Sequence, residues 1–428
     1  MKRLTLRKFL RMRYLSFKGG KALEELWISL PALAPDYSGV CSAMFDLGGM
    51  SVIHDASGCT GNYTGYDEPR WYGSNSMVYC SGLREIDAVL GRDDKLIANI
   101  LKTAEYTNPR CFSLIGSPVP MVIGSDMKGI AKELENSTGI PSFGFSTNGL
   151  GLYNKGVSEA VLTVIKRFLK PSEEKLDRSI NVIGTTPLDF SANSNAEDLY
   201  KALSDHGYKV IGKLMMGASI EQIENLTMAQ VNLVVTESGL DAAIYLYKEY
   251  GIPYVVGMLT GNDNELFELI EKTRADKKCR VLGITEPEST GSQKESPQDI
   301  SVNDTLEKVF IVGEQVLGNS IRYAINRRCP QITVVVGTMT GLRKEIAKEC
   351  DLDIPGEESL VKLMESGNYR VIVGDPLLGD VLTDDLKLVE MPHVALSSKL
   401  YWNKAVHFIG REMDDIVKKI ISFYDSDK

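Results

Sequence analysis

The chain has 428 residues, 43% hydrophobic and 25% charged, which suits two or three domains with their own cores and excludes a disordered protein. Its net charge of -9 argues against nucleic acid as a main partner, and no stretch is long and apolar enough to span a membrane. Seven cysteines, an odd number in so large a chain, argue against a disulfide framework. Each is then either a small buried apolar residue or a metal or redox ligand.

Residues 1–21 carry eight Lys or Arg and no acid. No apolar run or small-residue cleavage site follows them, so the chain reads as cytoplasmic. This arm is either a solvated amphipathic helix, with Leu4, Phe9, Leu10 and Leu15 packed down, or a docking arm for an acidic partner. Next comes the segment Gly39–Gly91, with three cysteines, one histidine and nine glycines in 53 residues. Cys41 precedes a small-residue helical stretch. Cys59 follows the strand-like Ser51–His54, and Cys80 ends a short apolar run before helical Leu83–Val89. All three are expected at turns, where sulfur can project into a cleft. The glycines beside them leave backbone N–H groups free to approach sulfide or thiolate.

A polar break at Lys170–Arg178 leads to alternating strands and helices. Ser179–Gly184, Lys209–Ile211, Val231–Val235, Ile252–Val256 and Lys278–Gly283 read as strands, with helices over Ala196–His206 and Leu240–Tyr250. The polar stretch Glu286–Asn303 reads as a linker. Beyond it, strands at Lys308–Gly313, Ile332–Gly337 and Arg370–Gly374 alternate with helices at Val316–Arg327 and Leu342–Cys350. A last helix, about Lys404–Tyr424, has an apolar stripe for packing on the body. Nearly all-apolar strands in this order predict parallel sheets covered on both faces. The expected fold is α/β, three Rossmann-like parallel-sheet units around a central cleft, with N- and C-terminal helices packing on the body. The boundaries are 1–37 for the basic arm, 38–170 for the cysteine-bearing domain, 171–303 and 304–390 for the other two, and 391–428 for the returning helix. Neither a G-x-G-x-x-G turn nor a phosphate-loop motif occurs, so no ATP is expected on this chain and a simple dehydrogenase is disfavoured.

Separations of 18 and 21 residues between Cys41, Cys59 and Cys80 are not those of a ferredoxin or zinc ribbon. On spacing alone a metal site and three buried cysteines are equal readings. The order of Cys41, a short helix, Ile53–Cys59 (IHDASGC) and Tyr79–Gly91 (YCSGLREIDAVLG), however, resembles the N-terminal part of nitrogenase component 1 proteins. Val122–Asp126, Ala229–Val234, Tyr250–Tyr254 and Val312–Arg322 are similar to later parts of that family, so the resemblance covers roughly residues 38–424. It implies an iron–sulfur cluster at the interface of two such subunits, as a homodimer or paralogous heterodimer, and a separate ATP-dependent iron–sulfur reductase. It makes Cys41 and Cys59 thiolate ligands, with Cys80 either completing the set or structural, and His54 and Gly58 beside the cluster. His54 would tune the cluster or relay protons, or simply cap its loop.

Two departures matter. The family's third cysteine would fall near Ser117–Pro118, and the cysteine holding its large active-site cofactor near Thr236; neither position is Cys here. No iron–molybdenum-type cofactor is therefore expected, nor dinitrogen reduction. Cys111, Cys279, Cys329 and Cys350 read as structural. Trp71, Tyr72 and Tyr79 are docking-surface or core aromatics. The functional expectation is a redox component, with a metallocluster scaffold or a cluster-free small-molecule binder as alternatives.

Overall fold

The computed structural model describes residues 27–262, 264–284, 308–383 and 385–425. Residues 1–26 of the basic arm and the linker expected at Glu286–Asn303 lie outside the described residues.

Three all-parallel sheets follow one another along the chain. The first has the order β2-β1-β3-β4, from β1 (Met50–Ile53), β2 (Met77–Cys80), β3 (Phe112–Ile115) and β4 (Ser142–Phe145). The second has the order β6-β5-β7-β8-β9, from β5 (Ser179–Thr185), β6 (Lys209–Met215), β7 (Val231–Val234), β8 (Tyr254–Val256) and β9 (Arg280–Val281). The third has the order β12-β11-β10-β13-β14, from β10 (Lys308–Val312), β11 (Val334–Thr338), β12 (Leu352–Asp353), β13 (Tyr369–Gly374) and β14 (Lys387–Glu390). The α/β expectation holds. Every residue of β1, β3, β5, β7 and β11 is buried, which only a sheet covered on both faces allows.

The sheets do not have isolated cores. One apolar cluster runs from Val182 and Leu233 of the second sheet through Val309 and Val373 of the third to Met413, Val417 and Ile420 of the C-terminal helix. That helix spans Arg411–Asp425, starting seven residues later than its pattern suggested, after Gly410 at φ +93°. The helix expected at Leu342–Cys350 is a single 3-10 turn, Lys344–Ile346. The Asp351 carboxylate accepts from the Lys348 and Val336 N–H groups there and ties the segment to β11 instead. Among the described residues no helix is long and apolar enough to cross a membrane.

Helix Asp36–Met44 is buried along its whole length. It crosses helix Tyr153–Phe168 at two glycines. A Cβ on Gly39 would lie 2.0 Å from the Tyr153 carbonyl oxygen, and one on Gly156 would lie 2.0 Å from that of Asp36.

Candidate metal centre

The carboxyl ends of parallel strands are where an open α/β sheet offers groups to a ligand. At that edge of the first sheet, His54 and Asp55 follow β1, Cys80 closes β2 and Ser117 follows β3. Helix Gly58–Asn62 starts directly after β1 and carries Cys59 in its first turn. Asp55 organises this corner. Its carboxylate accepts from the Ser57 and Thr60 N–H groups at 3.0 and 3.2 Å, which fixes the helix start. Its backbone N–H donates to Ser81 Oγ at 3.0 Å, and Ser81 Oγ returns a bond to its carbonyl at 3.1 Å. The one hydroxyl proton of Ser81 being so used, His54 Nδ1, 2.9 Å away, donates to Ser81 Oγ. Burial holds His54 below the usual imidazole range, which agrees with a neutral ring.

Cys59 and Cys80 both touch Asp55 and both are partly exposed. Cys80 Sγ donates to the Asp55 carbonyl and accepts from the Gly82 N–H, each at 3.3 Å. The groups that act on the Cys59 thiol are the Tyr37 and Ser117 hydroxyls and the Asp55 carboxyl. Burial and the Asp55 charge push its thiol up, while the two hydroxyls pull it back. The glycines here are not demanded by packing: a Cβ on Gly58 or Gly61 would meet nothing within 4 Å. The backbone on either side of Cys59, at Gly58 and Gly61, is open.

Cys41 differs from its expected place. It lies inside helix Asp36–Met44, not at a turn, and is 0% exposed. Burial pushes its thiol far up, and the carboxyls of Glu68 and Asp67 add to this. No open cleft faces the sulfur. What fills the space is a polar network. Glu68 accepts from Ser42 and Tyr63 hydroxyls, each at 2.9 Å, and from Arg70 Nε and Nη2, each at 2.8 Å. Arg70 reaches on to Asp46 at 3.0 Å, and Asp46 accepts from Gly217 N–H of the second unit at 2.8 Å. Asp67 accepts from Ser38 and Asn62 at 2.8 and 2.9 Å.

The expected pair Cys41 and Cys59 is thus separated by environment, while Cys59 and Cys80 share one residue. Sequence reasoning missed Tyr37, whose hydroxyl meets Cys59. One helical turn from Cys41 on a small-residue helix, it could have been placed on the same face. Ser117 stands beside Cys59, where the missing third cysteine was expected. Its own hydroxyl also donates to the His54 carbonyl at 2.8 Å. Thr236 is buried with its hydroxyl on the Gly184 carbonyl at 2.7 Å. Among the described residues no three His, Cys, Asp or Glu side chains are grouped to hold a metal ion. The corner fits half of a cluster site, two sulfurs with open glycine backbone on either side of one of them.

The family model "Nitrogenase component 1 type Oxidoreductase" matches residues 36–270. The chain belongs to that family. It is similar to the nitrogenase molybdenum-iron protein alpha chain of Clostridium pasteurianum, 27% identical over 54% of this chain and 42% of the relative. It is also similar to the nitrogenase iron-molybdenum cofactor biosynthesis protein NifE of the same organism, 24% identical over 69% of this chain and 65% of the relative. A third relative is a subunit of the light-independent protochlorophyllide reductase of Leptolyngbya boryana, 27% identical over 39% of this chain and 34% of the relative. The matches span less than two thirds of each of these relatives. A solved structure titled "Nitrogenase Cp1 at pH 6.5" superposes with a TM-score of 0.61 at 16% identity, over 92% of this chain and 89% of that one, and shares its fold.

Proposed function

We propose that this component 1-type chain is a redox component. It would take electrons from an ATP-dependent iron–sulfur reductase through an iron–sulfur cluster held at an interface with a second such chain. The observation that carries the reading is the pairing of Cys59 and Cys80 around Asp55 at a sheet edge, with open backbone at Gly58 and Gly61 beside Cys59. Thiolates are the soft anionic donors that iron–sulfur clusters need, and a bound cluster would supply single-electron storage. Cys59 and Cys80 would be the ligands of this chain. The Tyr37 hydroxyl would donate to the Cys59 sulfur and favour its anion. Asp55 would hold the helix start so that Cys59 faces outward. Cys41 stays a core thiol, and the remaining ligands come from the second chain.

The test is anaerobic purification with iron, acid-labile sulfide and visible absorption measured. Cys59→Ala and Cys80→Ala should each lose most of the iron, and Cys41→Ala should keep it. A colourless wild type made with cluster assembly intact sinks the proposal, as does iron that survives Cys59→Ala. The likeness to a cofactor biosynthesis protein over 69% of this chain favours a second reading, a cluster assembly scaffold. Iron that a partner reductase cannot reduce with ATP would select it.

A further inference from the structure

Away from the sulfur-bearing edge, the second and third sheets turn carboxyl ends toward the start of helix Tyr153–Phe168. Asp189 follows β5, Glu314 follows β10 and His393 follows β14, and all three are buried. The Tyr153 hydroxyl donates to Asp189 Oδ1, and His393 Nε2 lies 2.9 Å from the same oxygen. A carboxylate oxygen accepts only, so Nε2 carries a proton, and in the neutral ring Nδ1 is a bare acceptor. Among the described residues Nδ1 has no partner, and its side chain is 10% exposed. Burying such an acceptor unpaired costs about 1–3 kcal/mol, which a donor in the adjoining space offsets.

His393 walls a cavity of about 30 Å³ together with Asp189 and Glu314, while Ile311, Leu317 and Phe408 line its apolar side. One water needs roughly 10–15 Å³ on this measure, so the space suits about two water-sized groups. The charge is one-sided. Among the described residues no Lys or Arg bridges Asp189 or Glu314; Arg343, on the neighbouring Glu237, is paired with Asp241 and Glu345 as well. Glu314 accepts from the Glu237 and Leu317 N–H groups, each at 2.7 Å, and Asp375 accepts from the His393 N–H at 2.8 Å. Burial and the charge of Asp189 push the Glu314 carboxyl up to about 8.

We propose that this three-way junction binds one small primary ammonium ion, of the size of ammonium or methylammonium. Its N–H groups donate to His393 Nδ1 and to the Asp189 and Glu314 carboxyls, and a methyl group rests against the apolar wall. The ion supplies a donor and a positive charge at once. A quaternary ammonium has no N–H and does not fit. A bound cation favours the ionised Glu314, so binding releases a proton. Affinity therefore rises with pH between about 7 and 9, where the carboxyl otherwise holds its proton. Tyr153, Glu237 and Asp375, which also face the junction, are not displaced.

The full chain, labelled with ¹⁵N at histidine, is titrated with methylammonium chloride. One imidazole Nδ1 resonance should move saturably, more readily at pH 8.5 than at pH 7, and not with tetramethylammonium or potassium chloride. Asp189→Asn should weaken binding by roughly tenfold or more, as for a lost charge-assisted bond. If that variant does not fold, a wild-type crystal soaked in methylammonium still decides, by density for two atoms beside His393 Nδ1. No moving Nδ1 resonance, equal movement with tetramethylammonium, or water alone in the soaked cavity overturns the proposal.

Discussion

Asp67 sits under the candidate metal centre with three donors and, among the described residues, no cation of its own. Ser38, Asn62 and Ser398 bond to it, yet burial outweighs them and pushes its carboxyl from 3.8 up to about 6. A folded-state value above the unfolded one means that the folded chain binds the extra proton. Stability is therefore fully present below about pH 4 and falls as pH rises toward 6, on the order of 3 kcal/mol in total. Asp67→Asn removes this slope. Urea unfolding midpoints measured from pH 4 to 7 should be flatter for the variant, and higher than wild type above pH 6. A variant that keeps the wild-type slope would show that Asp67 stays ionised. The neighbouring Glu68 is paired with Arg70. Arg70→Ala would leave a fully buried carboxylate unpaired, a loss of about 3–5 kcal/mol by the usual cost of breaking a buried pair.

Among the elements, the tightest constraint is the crossing of helices Asp36–Met44 and Tyr153–Phe168. Gly156→Ala drives a methyl into the Asp36 carbonyl, which is backbone and cannot rotate away. Overpacking of this kind costs about 1–3 kcal/mol or more. Gly39→Ala pushes the same two helices apart, so the double variant should lose less than the sum of the two. Additive losses in equilibrium unfolding would mean that the helices relax at each site separately. This crossing also shows what the sequence made legible. Apolar runs such as Val231–Val234 and Val309–Val312 announce buried parallel strands because both faces are covered, and three sheets could be read from them. Cys41, by contrast, was expected at a turn before a small-residue helical stretch. Small residues serve a turn and a close helix contact equally well, and only the partner helix, far along the chain, distinguishes them. The junction of Tyr153, Asp189, Glu314 and His393 left no spacing signal at all. Its members are spread over 240 residues and meet only because each follows or faces a strand end. Their common trait, a polar residue just after an apolar strand, was the sign available.

For the whole molecule, the incomplete ligand set and the exposed apolar surface bear on one issue. Helices Glu85–Leu90 and Pro118–Ile123 touch, and they follow β2, which ends on Cys80, and β3, which Ser117 follows. Ile86, Val89 and Leu90 on one and Val119, Met121 and Val122 on the other are each more than 40% exposed. Clustered exposure of this kind marks a contact surface. The second chain that completes the cluster would cover it, so assembly and iron content should fall together. Val122, 76% exposed, is the place to test this. Val122→Glu puts a charge on the face without touching Cys59, Cys80 or the core, so thermal stability of the isolated chain should change by less than about 0.5 kcal/mol. Mass measurement of the anaerobic protein should show the variant shifted from dimer to monomer, with iron per chain falling in proportion. Full iron on a monomeric variant would mean that one chain holds the cluster alone. An unchanged dimer would move the interface elsewhere on the molecule.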